Sequence, residues 1–176
     1  MPSWTAPRTW VAGNTLTAAQ LNVDVRDNTL HIYEAFQAWT SFTPAFGGSG
    51  SPTIGNGTLI CNYMQFNKLV IARYVILGGS TTNLSSDRLT LTLPVTARNV
   101  HTTDVRIPVG VGHITDAGVT SYTIMPIMDQ AVDTGNDRIF FAYGATTLGN
   151  VTDTNPIAGG FAASDTLSAT IWYEAA

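Results

Sequence analysis

Three histidines, one cysteine and a thin set of carboxylates are the side chains best suited to acid–base, nucleophilic or metal chemistry. His31, His101 and His113 are spread along the chain. The run His113-Ile114-Thr115-Asp116 sets an imidazole near a carboxylate, the two parts of a general-base pair. No nucleophile motif accompanies it, so it reads as an exposed loop pair. Asp129, Asp133 and Asp137 recur at every fourth position, a spacing that suggests oxygen ligands for calcium. The ligand order and glycine of an EF-hand loop are missing, and the segment reads as a turn-rich loop. Glu34 and Glu174 are the only glutamates, so a glycosidase pair would have to use aspartates. There is no Gly-x-Ser-x-Gly, His-Glu-x-x-His or phosphate-binding loop. Cys61 is the only cysteine, which excludes an intrachain disulfide and a Cys-rich metal site. It lies in an apolar run and reads as a small core residue. The expectation is a protein without catalytic residues, cofactor or metal.

Composition narrows the class further. The 176 residues suffice for one β domain with a core plus a small N-terminal element. Apolar residues make up 44%, but charged residues only 11%, against about 25% in an ordinary soluble domain. Thr, Asn, Ser and Gly take the polar places. Either hydroxyls and amides keep the chain soluble, or part of its surface is covered by neighbours. The net charge is -4, and Lys68 is the single lysine. Nucleic acid is therefore not expected as a partner, because phosphate binding needs clustered Lys and Arg. Met1 is followed by Pro2, Ser3 and Trp4, with no basic then apolar leader. No stretch approaches the ~18 apolar residues of a membrane span, so membrane insertion is not expected. The reading is a protein made in a cytoplasm.

The elements that would position any site follow from local patterns. Residues 1–16 read as an extended arm. Thr17-Ala18-Ala19-Gln20 fits a capping box, with Leu16 as a hydrophobic staple. Residues 17–39 read as one helix. Leu21, Val25, Asn28, Ile32, Ala35 and Trp39 are spaced as heptad seam positions. They would form a short trimeric coiled coil, with Asn28 fixing register, or the apolar face of a helix lying on its own β domain. Residues 40–176 read as strands. Phe42, Pro44 and Phe46 alternate ahead of a Gly/Ser loop over 47–52. Residues 58–66 and 69–77 form a hairpin across Asn67-Lys68, a two-residue I′-type turn. Further period-2 runs are Leu89 to Val95, Val105 to Val111, Tyr122 to Ile127, 138–143 and 166–173. The fold class expected is mainly β: an extended arm and one α-helix, then an antiparallel β-sandwich or jelly-roll-like head.

The arm carries its own signal. Trp4 and Trp10 flank Pro7 and Arg8. Two indoles on an extended segment read as an anchor that fills pockets on a partner or sister subunit, with Arg8 adding a charged hydrogen bond. The other reading folds the arm back onto its own head or a sister subunit. Trp172, in the last strand, reads as core or intersubunit packing.

These residues carry a resemblance. Trp4-Thr5-Ala6-Pro7-Arg8-Thr9-Trp10-Val11-Ala12-Gly13, then Leu16 to Asn22, then Val25-Arg26-Asp27-Asn28, resemble the N-terminal segment of virion proteins of tailed phages that infect actinobacteria. Such proteins are often labelled minor tail or fibre proteins. Their pattern is a TPRTW-x-x-G leader, a T-A-x-x-N helix start and a V-R-D-N helix body. More loosely, 63–79 and Leu89 to Pro94 are similar to C-terminal β domains of the same proteins. Family hairpins often carry a turn glycine, where this chain has Asn67-Lys68. The resemblance implies a virion component and a homotrimer.

Three functions stay open on the sequence. The first is a homotrimeric tail or fibre-type appendage, held to other virion proteins by the arm, with a head that adheres to a host cell-surface glycan. For that contact the loops 78–86, 129–137 and 143–156 are the candidates, because loops carry recognition on a rigid β scaffold. The second is a capsid decoration or head-fibre protein that cements or ornaments the shell. The third, an envelope depolymerase, is disfavoured by the lack of clustered carboxylates.

Overall fold

The computed structural model describes residues 4–37, 39–99, 106–129, 137–144, 149–157 and 159–176. The chain divides into two units, Met1–Trp39 and Thr40–Ala176.

In the first unit, an extended arm leads to a helical stretch. Thr17 caps it as its sequence predicts: Gln20 N–H donates to Thr17 Oγ1 at 3.3 Å, and Thr17 N–H donates to Gln20 Oε1 at 2.9 Å. The helix is not uniform. A short α-helical turn, α1 (Ala18–Leu21), passes into a π-helical segment, Asn22–Asp27, and then into α2 (Asn28–Gln37). In the π segment hydrogen bonds span five residues instead of four, so each turn takes up extra chain. A seam counted at heptad spacing through Leu21, Val25, Asn28 and Ile32 runs across this break. The helix is described to Gln37, residue 38 lies outside the described residues, and Trp39 is not helical.

The second unit is mainly β, as expected. Among the described residues its strands are β1 (Thr40–Ser41), β2 (Phe46–Gly47), β3 (Thr58–Phe66), β4 (Leu69–Leu77), β5 (Thr90–Thr92) and β6 (Arg106–Pro108). They continue with β7 (Gly110–Asp116), β8 (Thr120–Asp129), β9 (Arg138–Tyr143), β10 (Gly149–Asn150) and β11 (Thr166–Glu174). All pair antiparallel, in the order β1-β3-β4-β11-β7-β8-β9-β5-β2, with β10 on β9 and β6 on β8. The two ends of this order, β1 and β2, are separated by only residues 42–45. From Ser41 to Phe46 is five residue steps, which span at most about 18 Å. The sheet must therefore curl until its edges nearly meet, and it encloses its own core, a sandwich-like head.

The core follows from alternation. On β4, Val70, Ala72, Tyr74 and Ile76 are fully buried. Leu167, Ala169, Ile171 and Tyr173 of β11 join them, because β4 and β11 pair along their whole lengths, from Thr166↔Leu77 to Glu174↔Leu69. Phe42, in the link between β1 and β2, packs against this core. Its ring meets Tyr63 and Tyr74 edge-on, with centroids 5.7 and 5.4 Å away. Cys61 is buried in this core.

Two local expectations are corrected. In the β3–β4 turn only Asn67 has a positive φ, 53°. A type I′ turn needs it at both central residues, so the turn is II′-like. The run from Ile107 to Val111 is not one alternating strand. Pro108 pairs with Ile127 and Gly112 with Ile124, so four steps on one strand face three on the other. The extra residue makes a β-bulge. It turns Val109 into the core, 4% exposed, and Val111 outward, 51% exposed. Gly112 permits the next close approach, since a Cβ there would lie 2.3 Å from the Ser168 carbonyl oxygen. Val105 lies outside the described residues.

Candidate functional site

The arm is clipped to the helix of its own unit. Thr5 N–H donates to Asn28 Oδ1 at 3.0 Å, and Asn28 Nδ2 donates back to the Thr5 carbonyl at 2.9 Å. The same Nδ2 also reaches the Asp24 carbonyl at 3.2 Å. Arg8 forms a salt bridge with Asp24, whose side chain is 7% exposed. The Trp4 ring lies 6.4 Å from that of His31. Asp24, Asn28 and His31 are spaced four and three residues apart and form one stripe on the helix. The arm runs antiparallel along it.

Asn28 is thus 5% exposed because the arm covers it. Its amide, expected to set register in a helix seam, is committed to Thr5. The other seam residues remain outside: Leu21, Val25, Ile32 and Trp39 are all exposed. Of Ala35 only the backbone is described. Arg8 makes its charged bond within its own unit, to Asp24 of the helix. The indoles differ. Trp4 is 51% and Trp10 46% exposed, with the Arg8 guanidinium 5.5 Å from the Trp10 ring centre. Pro7 is exposed as well.

The candidate chemical residues are dispersed. His113 and Asp116 lie three positions apart on β7, an odd number of steps, so their side chains leave opposite faces of the strand. Asp133 and His101 lie outside the described residues, as does the side chain of Asp129. Asp137 is described beside Arg138, 3.8 Å away. Glu174 pairs with Arg98 at 2.8 Å. Among the described residues no three of His, Cys, Asp and Glu are grouped to hold a metal. Burial pushes the Cys61 thiol up to about 11, the reverse of what a nucleophile needs.

The loops proposed for recognition are partly structural. In 78–86, Leu84 and Ser85 are fully buried, and the Thr82 hydroxyl donates to the Ile54 carbonyl at 2.6 Å. Asp87 organises the neighbouring turn. It accepts from Ser49 N–H at 2.8 Å, Ser49 Oγ at 2.9 Å and Ser85 Oγ at 2.8 Å. These bonds, the Ser49 amide first, hold its carboxyl well below the usual range. The Gly/Ser loop at 47–52 is therefore pinned. Of 129–137 and 143–156, residues 130–136 and 145–148 lie outside the described residues; Val151 and Thr152 are buried.

No family model, curated protein or solved structure matches this chain.

Two features of the head were not legible in the sequence. A groove of about 420 Å³ on β7, β8 and β9 is lined by Val111, Thr123, Met125, Tyr143 and small residues such as Gly110 and Ala142. Among the described residues its lining has no acidic or basic side chain, so it suits neutral or apolar groups. Phe140, 3% exposed, lies under two guanidinium groups, Arg88 at 4.7 Å and Arg106 at 5.8 Å from the ring centre. Arginine stacking of this kind depends on strands far apart in sequence. Among the described residues no helix is long and apolar enough to cross a membrane.

Proposed function

We propose that this chain is a structural protein of a tailed-phage virion. It is a homotrimeric tail or fibre-type appendage, anchored through its N-terminal arm to other virion proteins. Its β head is open to a host-surface glycan. The resemblance of residues 4–28 supports the class. The observation that carries the anchor is the held arm, with Thr5 and Arg8 fixed to Asn28 and Asp24 while two indoles stay half-exposed. An anchor already ordered before docking loses less entropy when it binds, and buried indoles contribute strongly at interfaces.

The test is incorporation into particles. Removing residues 1–13, or making Trp10→Ala, is expected to leave the head folded and to reduce the protein's share in purified virions sharply. Normal incorporation of the deletion overturns the anchor. A label on the wild-type protein, imaged on intact particles, is expected on the tail. A label spread over the shell replaces this reading with capsid decoration. A label on no part of the particle removes the virion reading altogether.

A further inference from the structure

We propose that the outer face of β3, β4 and β11 is a self-interface, covered in the assembled protein by a second copy of this chain. The proposal rests on the self-assembly named above and assigns it to a surface.

Strand β4 is apolar on both faces. Its inner row is core; its outer row is Leu69, Ile71, Arg73, Val75 and Leu77. An antiparallel strand with one wet face should alternate apolar and polar, whereas a strand covered on both faces reads as a continuous apolar run. Register extends the outer row sideways. Ile71 pairs with Trp172 of β11 and Met64 of β3, Leu69 with Phe66, and Val75 with Ile60. Trp172 is 53%, Ile60 54% and Leu69 47% exposed.

Area decides how this face is read. Six of its large apolar side chains, with Phe66, Leu77 and the adjacent Val111 counted in, are each close to half exposed. They present on the order of 600 Å² together, taking about 150–250 Å² for each aromatic and less for each aliphatic. The largest apolar patch on an ordinary monomer is about 300–600 Å². A stable interface takes about 800 Å² per partner, roughly three-fifths of it apolar. The face meets that need alone.

Charge selects the occupant. The face carries Arg73 and Glu174 on neighbouring strands, and Arg98 pairs with Glu174 at its edge. So few charges, of both signs, form no strong field that would draw a polyanion or repel an identical face. The surface of matching chemistry within this system is the same face on a neighbouring copy, so that in a trimer three such faces meet about the threefold axis, as in homo-oligomers whose interfaces resemble a divided core.

The test uses the full chain in solution, by sedimentation velocity over a range of concentrations. Wild type is expected to assemble. Leu69→Glu with Trp172→Glu is expected to give monomers with unchanged far-ultraviolet dichroism. Val119→Glu, on the exposed β7–β8 turn, should assemble as wild type does. Wild-type mass in the double variant overturns the proposal, as does a wild type that stays monomeric throughout. Loss of assembly through Leu21→Glu alone, with the double variant still assembled, moves the interface to the helix.

Should the double variant lose its dichroism, Thr170→Cys gives a second readout at the centre of the face. Its maleimide labelling is expected to slow at least tenfold from dilute to assembled protein, against a buried and silent Cys61. Equal rates overturn the proposal. Neither measurement needs a particle, so failure of the virion reading leaves this interface standing, and the reverse.

Discussion

The side-chain amide of Asn28 and the backbone of Thr5 bind each other in both directions, at 3.0 and 2.9 Å, across 23 positions of sequence. An Asn amide carries one acceptor and two donors, so it can replace a backbone partner for an extended strand. The arm gains an ordered path without a sheet. Its bulky side chains are left for other surfaces.

Asn28→Ala should therefore free the arm. Each lost hydrogen bond costs about 1 kcal/mol net, so loss of the two bonds to Thr5 should make the open arm roughly thirty times more populated. Trypsin cleavage after Arg8 is the measurement, with a rise of that order expected and the head's melting temperature unchanged. An unchanged cleavage rate means that the clip does not hold the arm.

Tyr74 ties the head across its interior. Its hydroxyl donates to the Thr92 carbonyl at 3.1 Å, from a fully buried ring. Tyr74→Phe leaves that carbonyl without this donor and should cost about 1–3 kcal/mol. Thermal melting should fall by roughly 2–4 °C for each kcal/mol, with dichroism unchanged. A melting temperature equal to wild type would show that water replaces the bond.

Asp87 makes the head sensitive to acid. Its folded carboxyl is held below its unfolded value, so its bonds stabilise the fold above the ordinary carboxylate range of about 4. That contribution fades as pH falls through the folded value. Asp87→Asn should melt below wild type at pH 7, and the gap should close in strong acid. A gap that stays constant with pH assigns the effect to shape instead of charge.

Cys61 should be silent in the native protein. Burial raises its thiol to about 11, against a smaller lowering by its hydrogen bond with the Val75 backbone. A thiol reagent at mildly alkaline pH should react only as the head unfolds, at a rate that follows unfolding. Prompt reaction of the native protein would mean that the core around Val75 and Tyr74 opens locally.

Local pattern determined much of this chain. Alternation and an Asn at the turn marked β3 and β4 to the residue, and a Thr-x-x-Gln box marked the helix start. Both signals act over a few neighbours, where the period of the apolar residues matches the geometry of the element. The mainly β class with an arm and a helix was legible for the same reason.

Tertiary structure decided the remainder. That β4 lies against β11, nearly a hundred residues away, depends on faces that no short window contains. Closure of the sheet through β1 and β2 follows from pairings at both ends of a four-residue link. The bulge at Val109 appears only when the partner strand is counted against it. Asn28 shows the limit most directly, since its amide serves a helix seam or an arm equally well. Only the path of Thr5 shows the contact it makes within its own unit.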